Sequence, residues 1–479
     1  MQQYDNFIGG EWVKGSSYFQ NVNPSDVTDV VGDYAEASAE DVAAAVKAAV
    51  EALPEWASST PQQRFQVLDA VGAEILARKE ELGRLLSREE GKILAEGMGE
   101  VVRAGQIFKF FAGEALRLAG EHVPSVRPGV EVNVLREPVG VVGLITPWNF
   151  PIAIPAWKIA PALAYGNTVV LKPSEKAPAS AWALTEMLSR ADLPAGAFNL
   201  VMGQGQKVGE PLVTHPDVAA VSFTGSFAVG QRVAAACVQR QARVQLEMGG
   251  KNPLVVLDDA DLDVAVACAI NGAFYSTGQR CTASSRLIVT ESIHDRFVER
   301  MVAHMQRLRV GDALDETTDI GPVIDEAQMS KNMHYIELAE KEGARRVFGG
   351  GRLQLDKNGY YMSPALFVDT TNDMRINREE VFGPVACVIR VRDYEEALAV
   401  ANDTRFGLSA GICTTSLKHA HDFRQRVRAG LVMVNLPTAG VDYHVPFGGM
   451  KGSSYGPREQ GAHAREFYTQ IKTCYTKFA

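Results

Sequence analysis

Cysteine is scarce and scattered in this sequence, which has six among 479 residues. No two of them form a CxxC pair, and none lies close to histidines at the spacing of a zinc site. We therefore predict no disulfide framework and no bound metal. Scattered thiols are typical of proteins from a reducing cytoplasm, where most cysteines are small buried apolar residues.

Long apolar runs and an excess of basic charge are also missing. No stretch of about 18 apolar residues occurs, which argues against a membrane-spanning helix. The N-terminal residues 1–5 have neither the basic nor the apolar region of a secretory signal. The formal net charge is −9, and nucleic acids and anionic membranes both require basic patches. The sequence thus predicts a cytoplasmic protein that binds neither nucleic acid nor membrane.

What the chain does have is length and a regular alternation of elements. A chain of 479 residues needs two or three cores. The first third is predicted to be largely helical, with helices that begin after Ser38 and Thr60 at capping signals. From about residue 139, short apolar runs alternate with helical stretches, which predicts doubly wound, mostly parallel sheets. The runs form two series: 141–145, 168–171, 198–202, 219–223 and 244–247, and then, from near Pro253, 287–289, 366–369, 386–391, 409–414 and 431–435.

The two series predict two α/β domains that divide near Gly249 and Gly250. Two segments rich in alternating β-formers, near 123–137 and at the C-terminus, belong to neither series. We expect these segments to pair elsewhere, including with another subunit.

The segment around Cys281 is the strongest candidate for covalent chemistry. It reads STGQRCTA over residues 276–283, so a glycine, polar residues and Arg280 surround the thiol. A cysteine in an arbitrary position is most often a buried apolar residue, but these neighbours favour an accessible thiolate. A thiolate can add to an aldehyde carbonyl to form a thiohemiacetal.

Glu247 and Asn149 each have two interpretations. Glu247 ends an apolar run before two glycines. It is either an edge residue before a turn or a partly desolvated base that can deprotonate a thiol or a water. Asn149 lies between two prolines, where it either belongs to a rigid turn or donates its amide to a developing oxyanion. The residues alone leave both questions open.

Two further segments are compatible with a dinucleotide. Phe223 to Ser226, followed by Gly230, predicts a strand, a turn and a helix whose first amides can face a phosphate. The spacing is not GxGxxG, so the signal is weak. Lys172 and Glu175 follow another buried run, and they either bind ribose hydroxyls or form a solvated pair.

Taken together, the motifs resemble the NAD(P)-dependent aldehyde dehydrogenase superfamily over essentially the whole chain. The resemblance is carried, in chain order, by Asn149, Lys172, Gly225, Glu247, Cys281 and the segment EVFGP at 380–384. It implies an α/β fold with two doubly wound domains and a small β oligomerisation flap. The implied ranges are 1–122 with 138–249 for the dinucleotide-binding domain, 250–445 for the catalytic domain, and 123–137 with 464–479 for the flap.

The resemblance also implies residue roles. Cys281 matches the nucleophile of a GQxC motif. Glu247 matches the general base of a motif that usually reads ELGGK and here has Met248 in place of the leucine. Asn149 matches the oxyanion donor, together with the backbone N–H of Cys281. Lys158 and Glu459 match a pair that relays protons to solvent. The implied cofactor contacts are Ile145, Pro147, Trp148, Lys172, Ser174, Glu175, Gly205, Gly209, Phe223, Thr224, Gly225, Ser226, Glu380 and Phe382.

NAD is the expected cofactor, because the charge of Glu175 repels a 2′-phosphate. Use of NADP stays open, since Lys172 offsets that charge. The expected assembly is a homodimer or a homotetramer.

The expected reaction oxidises an aldehyde to an acid through a thiohemiacetal and a thioester on Cys281. Residues 437–449 resemble those of 2-oxoglutarate semialdehyde (2,5-dioxopentanoate) dehydrogenases, which predicts a short substrate with a distal carboxylate. Succinate semialdehyde, glutarate semialdehyde and a broad range of aldehydes remain alternatives. The predicted substrate contacts are Phe150, Ile154, Trp157, Arg103, Arg280, His444 and Phe447, and the two arginines and the histidine are candidates to bind the carboxylate.

Three other classes fit less well. A relative that acylates CoA passes its thioester to CoA, but Glu247 favours hydrolysis. A non-catalytic member of the fold is expected to lack Cys281 or Glu247, and both are present. An alcohol dehydrogenase needs zinc ligands or a Tyr-x-x-x-Lys pair, and the spacing supplies no convincing candidate.

Overall fold

The structure is a computed structural model that describes residues 2–478. Its strands are β1 (Gln3–Tyr4), β2 (Asn6–Ile8), β3 (Glu11–Val13), β4 (Ser17–Val22), β5 (Val30–Glu36), β6 (Glu121–Pro124), β7 (Val130–Pro138), β8 (Val141–Ile145), β9 (Thr168–Lys172), β10 (Phe198–Leu200), β11 (Ala220–Gly225), β12 (Arg243–Met248), β13 (Asn252–Val256), β14 (Ser284–Thr290), β15 (Arg345–Phe348), β16 (Ala365–Thr370), β17 (Val385–Val391), β18 (Ser409–Cys413), β19 (Leu431–Val434), β20 (Ser454–Tyr455) and β21 (Thr469–Lys477).

The α-helices lie between these strands and on both sides of the sheets. They are α1 (Ala39–Ser58), α2 (Pro61–Ala77), α3 (Lys79–Glu90), α4 (Leu94–Leu116), α5 (Ala153–Ala164), α6 (Ala179–Ser189), α7 (Glu210–Thr214), α8 (Phe227–Gln239), α9 (Leu262–Phe274), α10 (Glu291–Met305), α11 (Glu326–Lys341), α12 (Arg375–Arg378), α13 (Tyr394–Asn402), α14 (Leu417–Arg426) and α15 (Arg465–Tyr468). Short 3₁₀ or π turns occupy Gly205–Gly209, Tyr275–Gly278, Lys451–Ser453 and Ala462–Ala464.

The helix starts read from the sequence are confirmed. Ser38 caps α1 reciprocally with Asp41, and Thr60 caps α2 in the same way with Gln63. Each cap satisfies backbone amides that have no partner within the helix. The prediction of a largely helical first third is wrong for residues 3–36, which form β1–β5. These strands are two to seven residues long, and pairing between strands rather than a local period defines them.

The first large sheet has eight strands in the order β20-β12-β11-β8-β9-β10-β2-β3. Its five central strands, β12 to β10 in that order, are parallel, which confirms the first series of apolar runs. The order reverses at β8, which lies between β11 and β9. Ligands of open α/β sheets bind at the carboxyl ends of the strands beside such a reversal. Residues 454–455, which the predicted domain ranges leave unassigned, add β20 antiparallel to β12.

The second large sheet has seven strands in the order β15-β16-β17-β14-β13-β18-β19. The six strands predicted from the sequence are mutually parallel in it. The edge strand β15 was not predicted, and it runs antiparallel to β16. The chain passes from the first sheet to the second through the short link between β12 and β13, which contains Gly249 and Gly250.

The two β-rich segments outside both series pair with each other. β21 runs antiparallel to β7 over nine residue pairs, and β6 pairs with the other edge of β7. The expected bounds differ slightly, because β6 begins at Glu121 and residues 465–468 form α15. Within residues 2–478, the helices are all too short or too polar to cross a bilayer. The α/β class of the fold is as predicted, and the division of the chain into functional domains stays a prediction.

Candidate active site

Two cavities meet at Cys281. The first, which we call the strand-end crevice, has a volume of about 180 Å³ and lies at the carboxyl ends of β8, β11 and β12. The second, which we call the α4 cavity, has a volume of about 250 Å³ and is lined in part by α4. Cys281, Trp157 and Phe447 line both. The thiol therefore lies where a molecule in one cavity can reach a molecule in the other.

The backbone before Cys281 is strained. Ser276, Thr277 and Gly278 have φ angles of 51°, 55° and 64°, in the left-handed region that costs a residue with a Cβ about 1 to 3 kcal/mol. The loop is held there by side chains. The Thr277 hydroxyl donates to the Gly321 carbonyl at 3.0 Å, and Oε1 of Glu96 accepts from the Ser276 amide at 3.0 Å.

Asn252 holds the loop on its other side. Its Nδ2 donates to the carbonyls of Cys281 and Ala283 at 2.8 and 2.9 Å, and its Oδ1 accepts from the Ser409 amide at 3.0 Å. The first residue of β13 thus fixes residues 276–283, which we call the nucleophile loop after the role that the resemblance implies for Cys281. Sequence reasoning missed Asn252, although its position directly after the GGK segment was a usable signal.

The thiol of Cys281 is half-buried, and its pKa is raised to about 12. Burial is the main cause, and the charges of Glu247 and Glu380 add to it. This differs from the expectation that the flanking residues favour a thiolate, because the Arg280 guanidinium bonds the Asn271 carbonyl instead of the sulfur. The resting thiol is protonated at neutral pH and needs a base.

Glu247 is buried at the end of β12 and lines the strand-end crevice with Cys281. Burial raises the pKa of its carboxyl well above the usual range, and the charge of Glu459 raises it further. The Ser454 hydroxyl on β20 donates to Oε2 at 2.5 Å and opposes part of that shift. A desolvated carboxylate beside a thiol favours the interpretation as a base over that as an edge residue.

Asn149 is buried just beyond the end of β8 and also lines the crevice. Its Nδ2 donates one hydrogen to the Gln279 carbonyl at 2.9 Å, two residues before the thiol. An amide nitrogen carries two hydrogens, so one remains for an acceptor beside Cys281. This arrangement favours the oxyanion-donor interpretation, because a rigid turn alone does not require the side chain to point at the nucleophile loop.

Lys158 and Glu459 form a buried ion pair. The Lys158 ammonium also donates to the Ser222 hydroxyl at 2.7 Å, and that hydroxyl lies 2.9 Å from Oε1 of Gln245. Oε2 of Glu459 is buried without a hydrogen-bond partner among the described residues. The pair therefore belongs to a larger polar group, whose members Ser222 and Gln245 sequence reasoning missed.

The expected cofactor residues fall into two sets. The set that lines the crevice consists of Pro147, Trp148, Thr224, Gly225, Ser226, Glu380 and Phe382. The set that lies outside its lining consists of Ile145, Lys172, Ser174, Glu175, Gly205, Gly209 and Phe223. Of these, Lys172 and Glu175 pair at 3.1 Å after the end of β9, the strand next to β8.

The crevice fits the polar backbone of a dinucleotide. Oγ1 of Thr224 is buried there without a hydrogen-bond partner in the described part of the chain. Ser226 caps the N-terminus of α8, so the first amides of that helix face the same region. The Glu380 carboxylate accepts from the Gly250 amide at 3.0 Å, and the Phe382 ring packs edge-on against Trp148.

The expected substrate residues are also divided. Phe150, Trp157, Arg103, Arg280 and Phe447 line the α4 cavity, and Ile154 lines the crevice. His444 is exposed and lines neither cavity, so the expectation that it contacts substrate is not supported by its position. The loop that carries it turns its neighbours Gly440 and Val441 into the cavity instead. Sequence reasoning missed Lys92, Glu96, Glu100 and Thr282, which line the α4 cavity as well.

Comparison with known proteins agrees with this geometry. The profile of the aldehyde dehydrogenase family matches residues 12–474. The alpha-ketoglutaric semialdehyde dehydrogenase of Bacillus subtilis (strain 168) is 46% identical over 478 residues, covering 99% of this chain and 98% of the relative. The alpha-ketoglutarate semialdehyde dehydrogenase of Haloferax volcanii is 44% identical and covers 99% of each chain.

Among solved structures, betaine aldehyde dehydrogenase from Staphylococcus aureus in complex with NAD+ superposes with a TM-score of 0.97 at 34% identity, covering 99% of this chain and 95% of that chain. The chain belongs to the aldehyde dehydrogenase family. It is an NAD(P)-dependent enzyme that oxidises aldehydes.

Proposed function

We propose that this enzyme oxidises 2-oxoglutarate semialdehyde to 2-oxoglutarate, with Cys281 as nucleophile, Glu247 as base and Asn149 as oxyanion donor. The observation that carries the proposal is the position of Cys281 between a crevice at the strand ends and a cavity that holds two arginines. The similarity to semialdehyde dehydrogenases from two organisms supports the choice of substrate.

The strand-end crevice is the proposed cofactor site. Thr224, Ser226 and the first amides of α8 would hold phosphate, while Lys172 and Glu175 would hold ribose hydroxyls. Glu380 and Phe382 would contact the nicotinamide end near Cys281. When bound, NAD(P)+ supplies the oxidising power that converts a thiohemiacetal on Cys281 into a thioester.

The chain's own groups handle the protons and the developing charge. Glu247 takes the proton of the Cys281 thiol as the sulfur bonds to the aldehyde carbon, and the free N–H of Asn149 donates to the carbonyl oxygen as it gains charge. After oxidation, Glu247 takes a proton from a water molecule as the water oxygen attacks the thioester carbonyl. The carbon–sulfur bond then breaks, which releases the carboxylic acid and the Cys281 thiolate, and Glu247 returns the water proton to the sulfur.

The thiol proton that Glu247 takes up in the first step must reach solvent before Glu247 can accept a proton from the water. The buried pair of Lys158 and Glu459 is proposed to pass it on. Support comes from the coupling of charges, since Glu459 raises the pKa of Glu247 and Lys158 lowers it.

The α4 cavity suits a substrate with a distal carboxylate. Its acids are already engaged: Glu96 accepts from a backbone amide, and Glu100 pairs with Lys92. The Nε atoms of Arg103 and Arg280, in contrast, are buried without a hydrogen-bond partner among residues 2–478. Burial lowers the pKa of both guanidinium groups, yet arginine stays charged at neutral pH. Two charged groups with unused donors favour an anionic end group.

The sheet of β6, β7 and β21 is the proposed oligomerisation flap of a homodimer or homotetramer. Ile471 and Tyr475 on its edge strand β21 are 61% and 62% exposed, so a partner subunit would cover apolar surface there. The first sheet is proposed as the core of the dinucleotide-binding domain and the second as that of the catalytic domain. A cytoplasmic location completes the proposal, and the six free cysteines support it.

A substrate panel tests the proposed specificity. The value of kcat/KM should be highest for 2-oxoglutarate semialdehyde, lower for succinate and glutarate semialdehydes, and lowest for hexanal and the cationic betaine aldehyde. Arg103→Met and Arg280→Met should each lower kcat/KM for the first substrate by about 10- to 100-fold, the equivalent of one hydrogen bond between charged groups.

Neither substitution should change kcat/KM for hexanal by more than about threefold, because hexanal makes no such hydrogen bond. Arg117→Met is the matched control, since Arg117 directly follows the helix that carries Arg103 but is exposed and pairs with Glu114. If hexanal or betaine aldehyde is the best substrate, the proposed recognition of a carboxylate is wrong.

A further inference from the structure

A buried ion pair in the lining of the α4 cavity bonds the backbone of the turn that carries Asn149. The Lys92 ammonium lies between α3 and α4, 2.7 Å from Oε2 of Glu100 and 2.7 Å from the backbone carbonyl oxygen of Asn149. Both side chains are almost completely buried. The ammonium also lies 3.9 Å from the centre of the Phe150 ring. Burial opposes the charge of Lys92, but Glu100 and Glu90 raise its pKa, so it remains an ammonium.

Glu100 binds the far end of the same turn. Its Oε1 accepts from the backbone amides of Ile152 and Ala153, each at 3.1 Å. These amides begin α5, and Ile152 provides no side-chain cap for it. A carboxylate from another helix therefore replaces the usual cap and lies at the positive end of the helix dipole.

The same face of α4 also contacts the nucleophile loop. Glu96 lies one turn before Glu100 on the helix and accepts from the amide of Ser276. The start of α4 thus bonds both loops of the site. Glu96 bonds the loop that carries Cys281, and Glu100, together with Lys92 just before the helix, bonds residues 149–153.

We propose that the Lys92–Glu100 pair is a positioning device for the oxyanion donor, which holds the Asn149 amide at the correct place relative to the Cys281 sulfur. The inference rests on the proposed role of Asn149. Lys92 and Glu100 do not touch the reacting atoms in this mechanism and act through the backbone of residues 149–153. An amide that is displaced by less than an ångström still allows aldehyde to bind but stabilises the oxyanion poorly.

The test removes the pair without leaving a buried charge. Lys92→Met alone would leave Glu100 unpaired, which is strongly destabilising. The variant is therefore K92M/E100Q, in which the glutamine oxygen still accepts from the amides of Ile152 and Ala153. The matched control is K109M/D69N, because Lys109 lies on the same helix and its ion pair with Asp69, at 2.8 Å, is half-exposed and remote from the cavities.

K92M/E100Q should lower kcat for aldehyde oxidation by about 10- to 100-fold and change KM by less than about threefold, since loss of a whole oxyanion donor costs about 100- to 1000-fold in kcat. The same loss should appear in the acylation rate with p-nitrophenyl acetate, an ester that the thiol attacks without a cofactor. The control variant should keep both rates.

A double-mutant cycle with Asn149→Ala separates positioning from general damage. In the Asn149→Ala background, K92M/E100Q should cost less than about threefold, because the group that it positions is already absent. Equal losses in both backgrounds, or an unchanged kcat in the wild-type background, would overturn the inference. If K92M/E100Q does not fold by circular dichroism, K92L/E100Q, which likewise leaves neither charge of the pair, decides by the same cycle.

The two proposals fail separately. If Asn149→Ala itself leaves kcat and ester acylation unchanged, the proposed oxyanion role is wrong. If Asn149→Ala lowers both while K92M/E100Q lowers neither, only the positioning inference is wrong.

Discussion

In the free enzyme, the Cys281 thiol should react with iodoacetamide at a rate that rises about tenfold for each pH unit from pH 7 to about pH 10. Only the thiolate reacts, and burial with the charges of Glu247 and Glu380 raises the pKa to about 12. At pH 7.5 that pKa leaves roughly 3 thiols in 100,000 ionised, whereas an ordinary cysteine with a pKa of about 8.5 is roughly one-tenth ionised. The labelling should therefore be slower than that of an unperturbed thiol by about three orders of magnitude.

Glu247→Gln should change this profile in a direction set by the pKa of Glu247 itself. That pKa is raised well above its usual range, so Glu247 is neutral at the lower end of the pH scale. Variant and wild type should label equally there. As the pH rises through the pKa of Glu247, a negative charge develops in the wild type only and opposes ionisation of the thiol. The variant should then label faster.

The measurement is mass spectrometry of the peptide that contains Cys281, after brief exposure to reagent at each pH. Cys474, which is half-buried on β21, serves as an internal reference for reagent activity. Circular dichroism at each pH confirms that the enzyme remains folded. If the labelling rate of Cys281 reaches a plateau below about pH 9.5, burial and charge do not raise the pKa of its thiol as described. Slower labelling of Glu247→Gln at every pH would refute the charge argument, since it would mean that Glu247 favours the thiolate at equilibrium.

Four further outcomes are expected. Cys281→Ser should lower the rate of aldehyde oxidation by at least about 100-fold, while fluorescence titration should still detect NADH binding. Normal activity of this variant would show that Cys281 is not the nucleophile. Glu247→Gln should accumulate an acyl adduct visible by intact-mass spectrometry under turnover, and a full steady-state rate without adduct would place the base elsewhere. Glu175→Gln should raise the ratio of kcat/KM for NADP to that for NAD, and an unchanged ratio contradicts the role given to that charge. Asn252→Ala removes three hydrogen bonds and should lower the free energy of unfolding by about 2 to 4 kcal/mol, so an unshifted thermal midpoint would count against it.

Strands buried on both sides were the predictable part of the fold. Runs such as 141–145 and 287–289 are apolar throughout because helices cover both faces of a parallel sheet, and that pattern is local in sequence. The short strands β2, β3, β15 and β20 were missed for the opposite reason. Each has two to four residues and exists through antiparallel pairing with another strand, which for β2 and β20 is distant in sequence, as when Leu200 pairs with Phe7.

The site residues also divide into those that the sequence predicts and those that it does not. Cys281, Glu247 and Asn149 stand in specific motifs, and the structure brings all three to one crevice. The groups that hold them in place have no such signal. Lys92 donates to the carbonyl of Asn149, which lies 57 positions away, and neither spacing nor residue type predicts that contact. His444 lies outside the lining of both cavities, and its position could not be predicted because a loop residue can face either side and the sequence does not fix which.

Because β20 pairs with β12, the surroundings of Glu247 are completed only late in the synthesis of the chain. Ser454, which bonds Glu247, and the buried Glu459 both follow the entire second sheet in sequence. A growing chain that has emerged through β14 already contains the thiol, the amide and the base carboxylate, but neither of these later groups. Under the proposed mechanism, Cys281 is therefore synthesised before the site is complete, and turnover requires that the last segments of the chain fold back onto the edge of the first sheet.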